Sequence, residues 1–229
     1  MAGHGKVEVH MNKWTIGILA AAGMAGVCIG AEVDAETARG VAQEQVEKSF
    51  PGEEWVCWGA TEVESAAAEG GRAAWAFFFG VRGSGWEDED TARAAVLEGM
   101  DGEDGESELY VNTATVLTGA NDTDSLVYRH FRGVPGWWME TVRSGGTAMM
   151  LNAGDVRRVT SVAPRGGSSP KAKLKAVRAA RDAEAAARLE SLPETWREKA
   201  AEAAAEAAEA HRGAWAAAKK QLDDEEGDK

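Results

Sequence analysis

The sequence predicts an α+β fold, in which an N-terminal helix packs on an antiparallel sheet and a C-terminal α-helical hairpin follows. Three observations lead to this prediction. Apolar residues recur at helical spacing near residue 40, and they then alternate with a period of two in several segments up to about residue 160. Beyond residue 170 the chain consists mostly of Ala, Glu, Lys and Arg, which favour helix.

Residues 35–49 are the predicted N-terminal helix. Asp34 is a suitable N-cap residue, and Pro51-Gly52 ends the helix. One side of the helix carries Ala38, Val41, Ala42, Gln45, Val46 and Ser49. This side is expected to face the sheet.

The predicted strands are residues 55–63, 73–81, 109–117 and 126–131, with two weaker strands at 148–151 and 156–162. In the second strand both faces are apolar, since Phe77 and Phe78 point in opposite directions. Such a strand is expected in the middle of a sheet or beneath a helix. We therefore expect residues 36–165 to form one α+β domain.

Residues 166–170 have the composition of a linker, and residues 171–229 are a predicted helical tail interrupted near Pro193. The second tail helix has a seam at heptad-like spacing. Its members are Trp196, Ala200, Ala204, Ala207, His211, Trp215, Ala218 and Leu222. The seam either folds back on residues 171–190 or binds a partner, in which case the tail forms an oligomer.

Residues 1–35 are predicted to be a secretory signal peptide. Lys13 precedes an uncharged apolar stretch over residues 14–29, and cleavage is expected after Gly30, Ala31 or Ala35. Residues 1–10 are interpreted as a mis-assigned start, with translation beginning at Met11. The protein is therefore expected to be exported, either periplasmic or secreted. The alternative is an uncleaved N-terminal anchor.

Charge and cysteine content exclude several classes of function. The formal net charge is −13, which disfavours nucleic acid and anionic membrane surfaces as partners. Of the two cysteines, Cys28 lies in the predicted signal peptide, so Cys57 has no disulfide partner in the exported chain. Nothing in the sequence predicts a cofactor.

Several short segments carry a family resemblance. They are residues 36–42 (ETARGVA), 75–79 (WAFFF), 115–122 (TVLTGAND) and 133–135 (GVP). In this order they resemble the Spi-like (streptopain-inhibitor) domains, which are similar to the propeptides of streptopain-type cysteine proteases. The resemblance covers about residues 36–137 and implies a cystatin-like arrangement with a protease as partner. Asp124-Ser125 stand where the family often has a proline after the Asp of the strand-end motif.

The candidate catalytic and metal-binding residues each have a structural explanation as well. Cys57 and His130 are a candidate nucleophile and base, although Cys57 lies between tryptophans and is better explained as a buried apolar residue. Carboxylates suited to Ca²⁺ occur in an acidic insertion, residues 86–108, and in a turn, residues 119–125. A solvated insertion and turn capping explain these carboxylates more simply. These carboxylates are Asp101, Glu103, Asp104, Asp122 and Asp124.

Four tryptophans are candidate interaction residues: Trp137, Trp138, Trp196 and Trp215. The sequence thus favours an exported, non-enzymatic protein-interaction module, inhibitor- or propeptide-like towards a cysteine protease. One alternative is a secreted hydrolase that uses Cys57 and His130 or acidic residues. Another alternative is an envelope adaptor whose helical tail forms an oligomer.

Overall fold

A six-stranded sheet with helices on both faces forms the body of the protein. The computed structural model describes residues 30–67, 71–98, 103–160 and 169–227. The predicted signal peptide therefore lies outside the described residues except for its last positions. The elements in chain order are α1 (Ala35–Ser49), β1 (Trp55–Ser65), β2 (Arg72–Val81), α2 (Glu89–Leu97), α3 (Glu103–Asn112), β3 (Thr113–Gly119), β4 (Val127–Arg132), α4 (Gly136–Ser144), β5 (Thr147–Asn152), β6 (Asp155–Val159), α5 (Pro170–Glu190) and α6 (Glu194–Gly227).

The strand order is β4-β3-β2-β1-β5-β6, which confirms the predicted α+β class. Neighbouring strands are antiparallel with one exception. Strand β5 joins β1 in parallel through two residue pairs, Glu64 with Met149 and Ser65 with Met150. The sheet is therefore mixed, because α4 carries the chain from β4 at one edge across to β1 at the other side.

Strand β2 lies inside the sheet, as its two apolar faces predict. Phe77 and Phe79 are buried together with the apolar side of α1. On the opposite face, the ring centroid of Phe78 lies 5.1 Å from that of Trp58 and 5.4 Å from that of Trp138. Each face of the strand is thus covered by a separate hydrophobic cluster.

Helix α1 begins and ends where the sequence predicts. The side chain of Asp34 accepts a hydrogen bond of 2.8 Å from the backbone N–H of Thr37, which is an N-cap interaction. The residues that face the sheet are buried: Ala38, Val41, Ala42 and Val46. Local sequence signals and tertiary packing agree over this helix.

The acidic insertion between β2 and β3 is more structured than the sequence analysis expects. It contains α2 and α3, and residues 109–112, predicted as strand, end α3 instead. Helix α2 buries Ala92, Ala95 and Val96 against the Phe78 face. Carboxylates dominate the composition of the insertion, so its short apolar helix face is difficult to recognise in the sequence.

A close backbone approach requires glycine at position 80. A Cβ atom at Gly80 would lie 1.9 Å from the backbone oxygen of Trp86. The chain leaving β2 can therefore fold back tightly over the sheet. As a result, Trp86, at the start of the acidic insertion, is buried in the core.

The two tail helices contact different parts of the sheet region. Leu174 of α5 packs on the cluster formed by Ala66, Met149, Leu151 and Val159. Helix α6 contacts α1. There Trp215 is 3% exposed, and its Nε1 donates a hydrogen bond of 2.9 Å to the backbone oxygen of Asp124. One of the two tryptophans of the predicted seam is therefore buried against the chain's own α+β core.

We predict that Trp215→Ala lowers the free energy of unfolding by about 3–5 kcal/mol, because it removes a buried aromatic side chain and its hydrogen bond. Urea unfolding followed by circular dichroism measures the change. Trp196→Ala is the matched control on the same helix, since Trp196 is 42% exposed, and its effect should stay within about 0.5 kcal/mol. Equal effects of the two substitutions would contradict the packing of α6.

We predict that Asp34→Ala costs about 1 kcal/mol of stability at pH 7, because α1 loses its N-cap. The backbone N–H of Thr37 holds the pKa of Asp34 below its usual value. A lowered folded-state pKa gives stability that is present above the unfolded pKa and lost as pH falls through the folded one. The difference between wild type and variant in urea titrations should therefore shrink between pH 5 and pH 3. A constant difference would show that the cap is not the cause.

Candidate functional site

A groove of about 610 Å³ lies between β4, the start of α4 and the β5–β6 hairpin. Polar and apolar atoms contribute about equally to its surface, and the polar groups include one cation, Arg129, and one carboxylate, Asp155. The lining residues are Leu117, Tyr128, Arg129, Phe131, Pro135, Trp137, Ala153, Gly154, Asp155 and Val156. A concave surface that brings apolar side chains together with polar groups is able to bind another molecule.

The curl of the sheet creates this groove. Strands β4 and β6 are the two edges of the sheet, and the β5–β6 turn approaches β4. A Cβ atom at Gly154 would lie 3.7 Å from Cβ of Arg129 and 3.8 Å from the backbone oxygen of Tyr128. The sheet therefore almost closes at one point, and the groove opens beside that contact.

The charged and aromatic groups of the groove are held in defined positions. The guanidinium of Arg129 lies 5.7 Å from the ring centroid of Phe131. Nε of Arg157 lies 3.3 Å from the carboxylate of Asp155. Burial, followed by the neighbouring Asp124 carboxylate, raises the pKa of Tyr128 above its ordinary value. The phenol is therefore neutral at physiological pH.

Both sheet edges beside the groove have backbone groups without a strand partner. Among the described residues, β4 pairs with β3 alone and β6 pairs with β5 alone. Unpaired N–H and C=O groups at an edge are able to pair with another extended chain. The site thus combines a groove of mixed apolar and polar lining with a row of backbone donors and acceptors.

The structure does not bring Cys57 and His130 together. Cys57 lies on β1 and His130 on β4, with β2 and β3 between them. Three strand spacings of about 4.8 Å separate their backbones by about 14 Å along the sheet. Cys57 contacts the backbone oxygen of Gly59, with 3.7 Å between Sγ and the oxygen, and burial raises the pKa of its thiol. A raised pKa disfavours the thiolate that nucleophilic catalysis needs.

The turn carboxylates among the Ca²⁺ candidates, Asp122 and Asp124, accept hydrogen bonds from backbone N–H groups. Oδ1 of Asp122 accepts a hydrogen bond of 3.0 Å from the N–H of Ala31. Oδ2 of Asp124 accepts bonds of 3.0 Å from both the backbone and the side-chain nitrogen of Asn121. The Asp124 bonds are local turn capping. The Asp122 bond instead joins the turn to the N-terminal segment.

The other Ca²⁺ candidates lie in the acidic insertion. Asp101 is outside the described residues, and Glu103 and Asp104 begin α3, with side chains that are not described. Within the described ranges, no group of three or more His, Cys, Asp or Glu residues is placed to hold a metal ion.

The four candidate tryptophans have different environments. Trp138 is 4% exposed and packs on Phe78, so it is a core residue. Trp137 is half-buried and lines the groove. Trp215 of α6 is buried against the α+β core, whereas Trp196 is exposed near the start of the same helix. The groove therefore contains one of the four residues.

Sequence reasoning missed most of the groove. Tyr128, Arg129 and Phe131 belong to a predicted strand, but no local signal indicates that the β5–β6 turn approaches it. Helix α4 was also missed, because its first residues follow a Gly-Val-Pro-Gly segment that indicates a turn. The aromatic pattern of β4 is the one sequence signal that could have pointed to the site.

Comparisons with protein-family models, curated proteins and solved structures found no match for this chain. Over the part of the chain that the structure describes, no helix is long and apolar enough to span a membrane.

We predict that Cys57 reacts with a thiol reagent at least about tenfold more slowly in the native protein than in urea, because burial raises its pKa. Cys57→Ser should lower the free energy of unfolding by about 1–3 kcal/mol, since a hydroxyl replaces a thiol in an apolar cluster. Native and unfolded labelling rates at pH 7.5 provide the measurement. Equally fast labelling in both states would support the reactive-cysteine alternative.

Proposed function

We propose that the chain is an exported, non-enzymatic protein-interaction module that binds an extended segment of a partner protein in the groove between β4 and the β5–β6 hairpin. Its action is inhibitor- or propeptide-like towards a cysteine protease. The observation that carries the proposal is the position of the groove between the two free edges of the curled sheet.

Backbone pairing explains how the groove accommodates a polypeptide. An extended segment laid along β4 takes up the edge N–H and C=O groups as an added strand. Alternate side chains of the segment then point towards the apolar lining formed by Phe131, Trp137 and Val156. In this binding mode, main-chain hydrogen bonds between the segment and β4 supply the affinity. The groove lining determines which side chains of the segment fit.

Charge favours a basic partner. The chain has a formal net charge of −13, so its overall field attracts a positively charged protein and speeds association. Within the groove, Arg129 and Asp155 provide one charge of each sign. These two groups set the orientation of the bound segment.

The family resemblance supports a protease as the partner. Two of the segments that resemble Spi-like domains contribute groove residues, Leu117 from residues 115–122 and Pro135 from residues 133–135. The hydrolase alternative has weaker support, because its candidate nucleophile and base lie on strands separated by two others.

We predict that the purified mature protein inhibits a streptopain-type cysteine protease, and that Arg129→Glu weakens inhibition at least about tenfold. The substitution reverses the groove's cation at an exposed position, so the fold should be retained. Arg181→Glu makes the same change at an exposed position of α5 and serves as the control. Inhibition constants for a panel of such proteases provide the measurement.

Hydrogen exchange of the complex tests the mode of binding. Amides of β4 should exchange more slowly when the protease is bound, because an added strand takes up the free edge. Absence of inhibition across the panel would overturn the protease as partner. Equal inhibition by both charge variants, with unchanged exchange in β4, would overturn the groove.

A further inference from the structure

Residues 31–34 pair with the β3–β4 connection like a short extra strand. The N–H of Ala31 donates to Oδ1 of Asp122 at 3.0 Å, and the N–H of Asp122 donates to the backbone oxygen of Ala31 at 2.9 Å. The N–H of Val33 donates to the oxygen of Ala120, also at 2.9 Å. Glu32 lies opposite Asn121 in an antiparallel bridge. This short segment is therefore part of the fold.

Side chains of the same segment also contribute to stability. Val33 is 7% exposed and belongs to the cluster beneath α1. Glu32 forms an ion pair of 2.5 Å with Arg72, whose guanidinium lies 4.1 Å from the ring centroid of Trp75. Asp34 caps α1. Cleavage after Ala35 would remove a core side chain, an ion pair and a helix cap together.

The sequence before this segment contains a better cleavage site. Signal peptidases favour small residues at the first and third positions before the cut. A cut after Gly30 has Cys28 and Gly30 at these positions. A cut after Ala31 would place Ile29 at the third position, and a cut after Ala35 would place Val33 there.

We propose that export processing hydrolyses the peptide bond between Gly30 and Ala31. Water supplies the hydroxyl for the new carboxyl group of Gly30, which loses its proton at neutral pH, and the nitrogen of Ala31 leaves as an amine that becomes protonated. That nitrogen already lies 3.0 Å from Oδ1 of Asp122, so the new ammonium forms a charge-assisted hydrogen bond there.

The inference rests on the export that forms part of the proposed function, and it selects Gly30 among the three predicted cleavage positions, Gly30, Ala31 and Ala35. The peptidase acts on the extended chain during translocation, and residues 31–34 pair with the β3–β4 connection when the chain folds. A Cβ atom at Gly30 would lie 2.6 Å from Oγ1 of Thr123 and 2.7 Å from Oδ1 of Asp122. The position immediately before the cut is thus crowded in the folded protein.

Intact-mass analysis of the protein produced from the full-length gene in its native host tests the site. The expected mass is that of residues 31–229. Gly30→Leu and Cys28→Leu should each reduce the cleaved species at least about tenfold. Both positions are removed by the proposed cut, so any cleaved product has the wild-type mature sequence.

Ala35→Leu is the matched control, because Ala35 is exposed at the start of α1 and should not alter processing at Gly30. A mature chain that begins at residue 36, or a block of cleavage by Ala35→Leu, would overturn the Gly30 site while leaving export intact. A full-length species retained in the cytoplasm would overturn export as well. The mass measurement does not depend on whether the protein inhibits a protease. Failure of the binding proposal can therefore be distinguished from failure of the Gly30 cleavage site.

Discussion

Burial of three consecutive phenylalanines on one strand governs the architecture. Phe77, Phe78 and Phe79 of β2 are each at most 1% exposed, although successive side chains point to opposite faces. At about 2 kcal/mol each, their burial approaches the net stability of a typical domain. Both faces of the sheet must therefore be covered. Helices α1 and α6 cover one face, and α2 and α4 cover the other.

The β3–β4 connection joins the two ends of the described chain. The backbone oxygen of Asp124 accepts the hydrogen bond of Trp215 from α6, and Asp122 binds the segment that starts at Ala31. Nζ of Lys219 also lies 3.7 Å from the carboxylate of Asp34. The tail is thus tied to the same small region as the N-terminal segment, and its seam contributes to the fold of its own chain.

Sequence reasoning predicted those parts of the fold in which a local pattern and the packing agree. Helix α1 and strands β1 and β2 have strong periodicity, and their bounds were predicted to within two residues. Helices α2 and α4 were missed, because carboxylates and a turn-like Gly-Val-Pro-Gly segment mask their apolar faces. The groove could not be predicted, since it depends on the curl that brings Gly154 to β4, a contact between distant segments.

The β5–β6 hairpin on one side of the groove has short strand pairing with the rest of the sheet and helices on both of its faces. The β5–β6 hairpin joins the rest of the sheet through two parallel residue pairs on β1, which is little backbone bonding for two strands. Helix α4 contacts both strands on one face, and Leu174 of α5 packs on the other. The hairpin is therefore packed between helices on both of its faces. Under the proposed binding mode, a bound segment would contact both β4 and the β5–β6 hairpin, and it would add to the close approach that Gly154 already makes to β4.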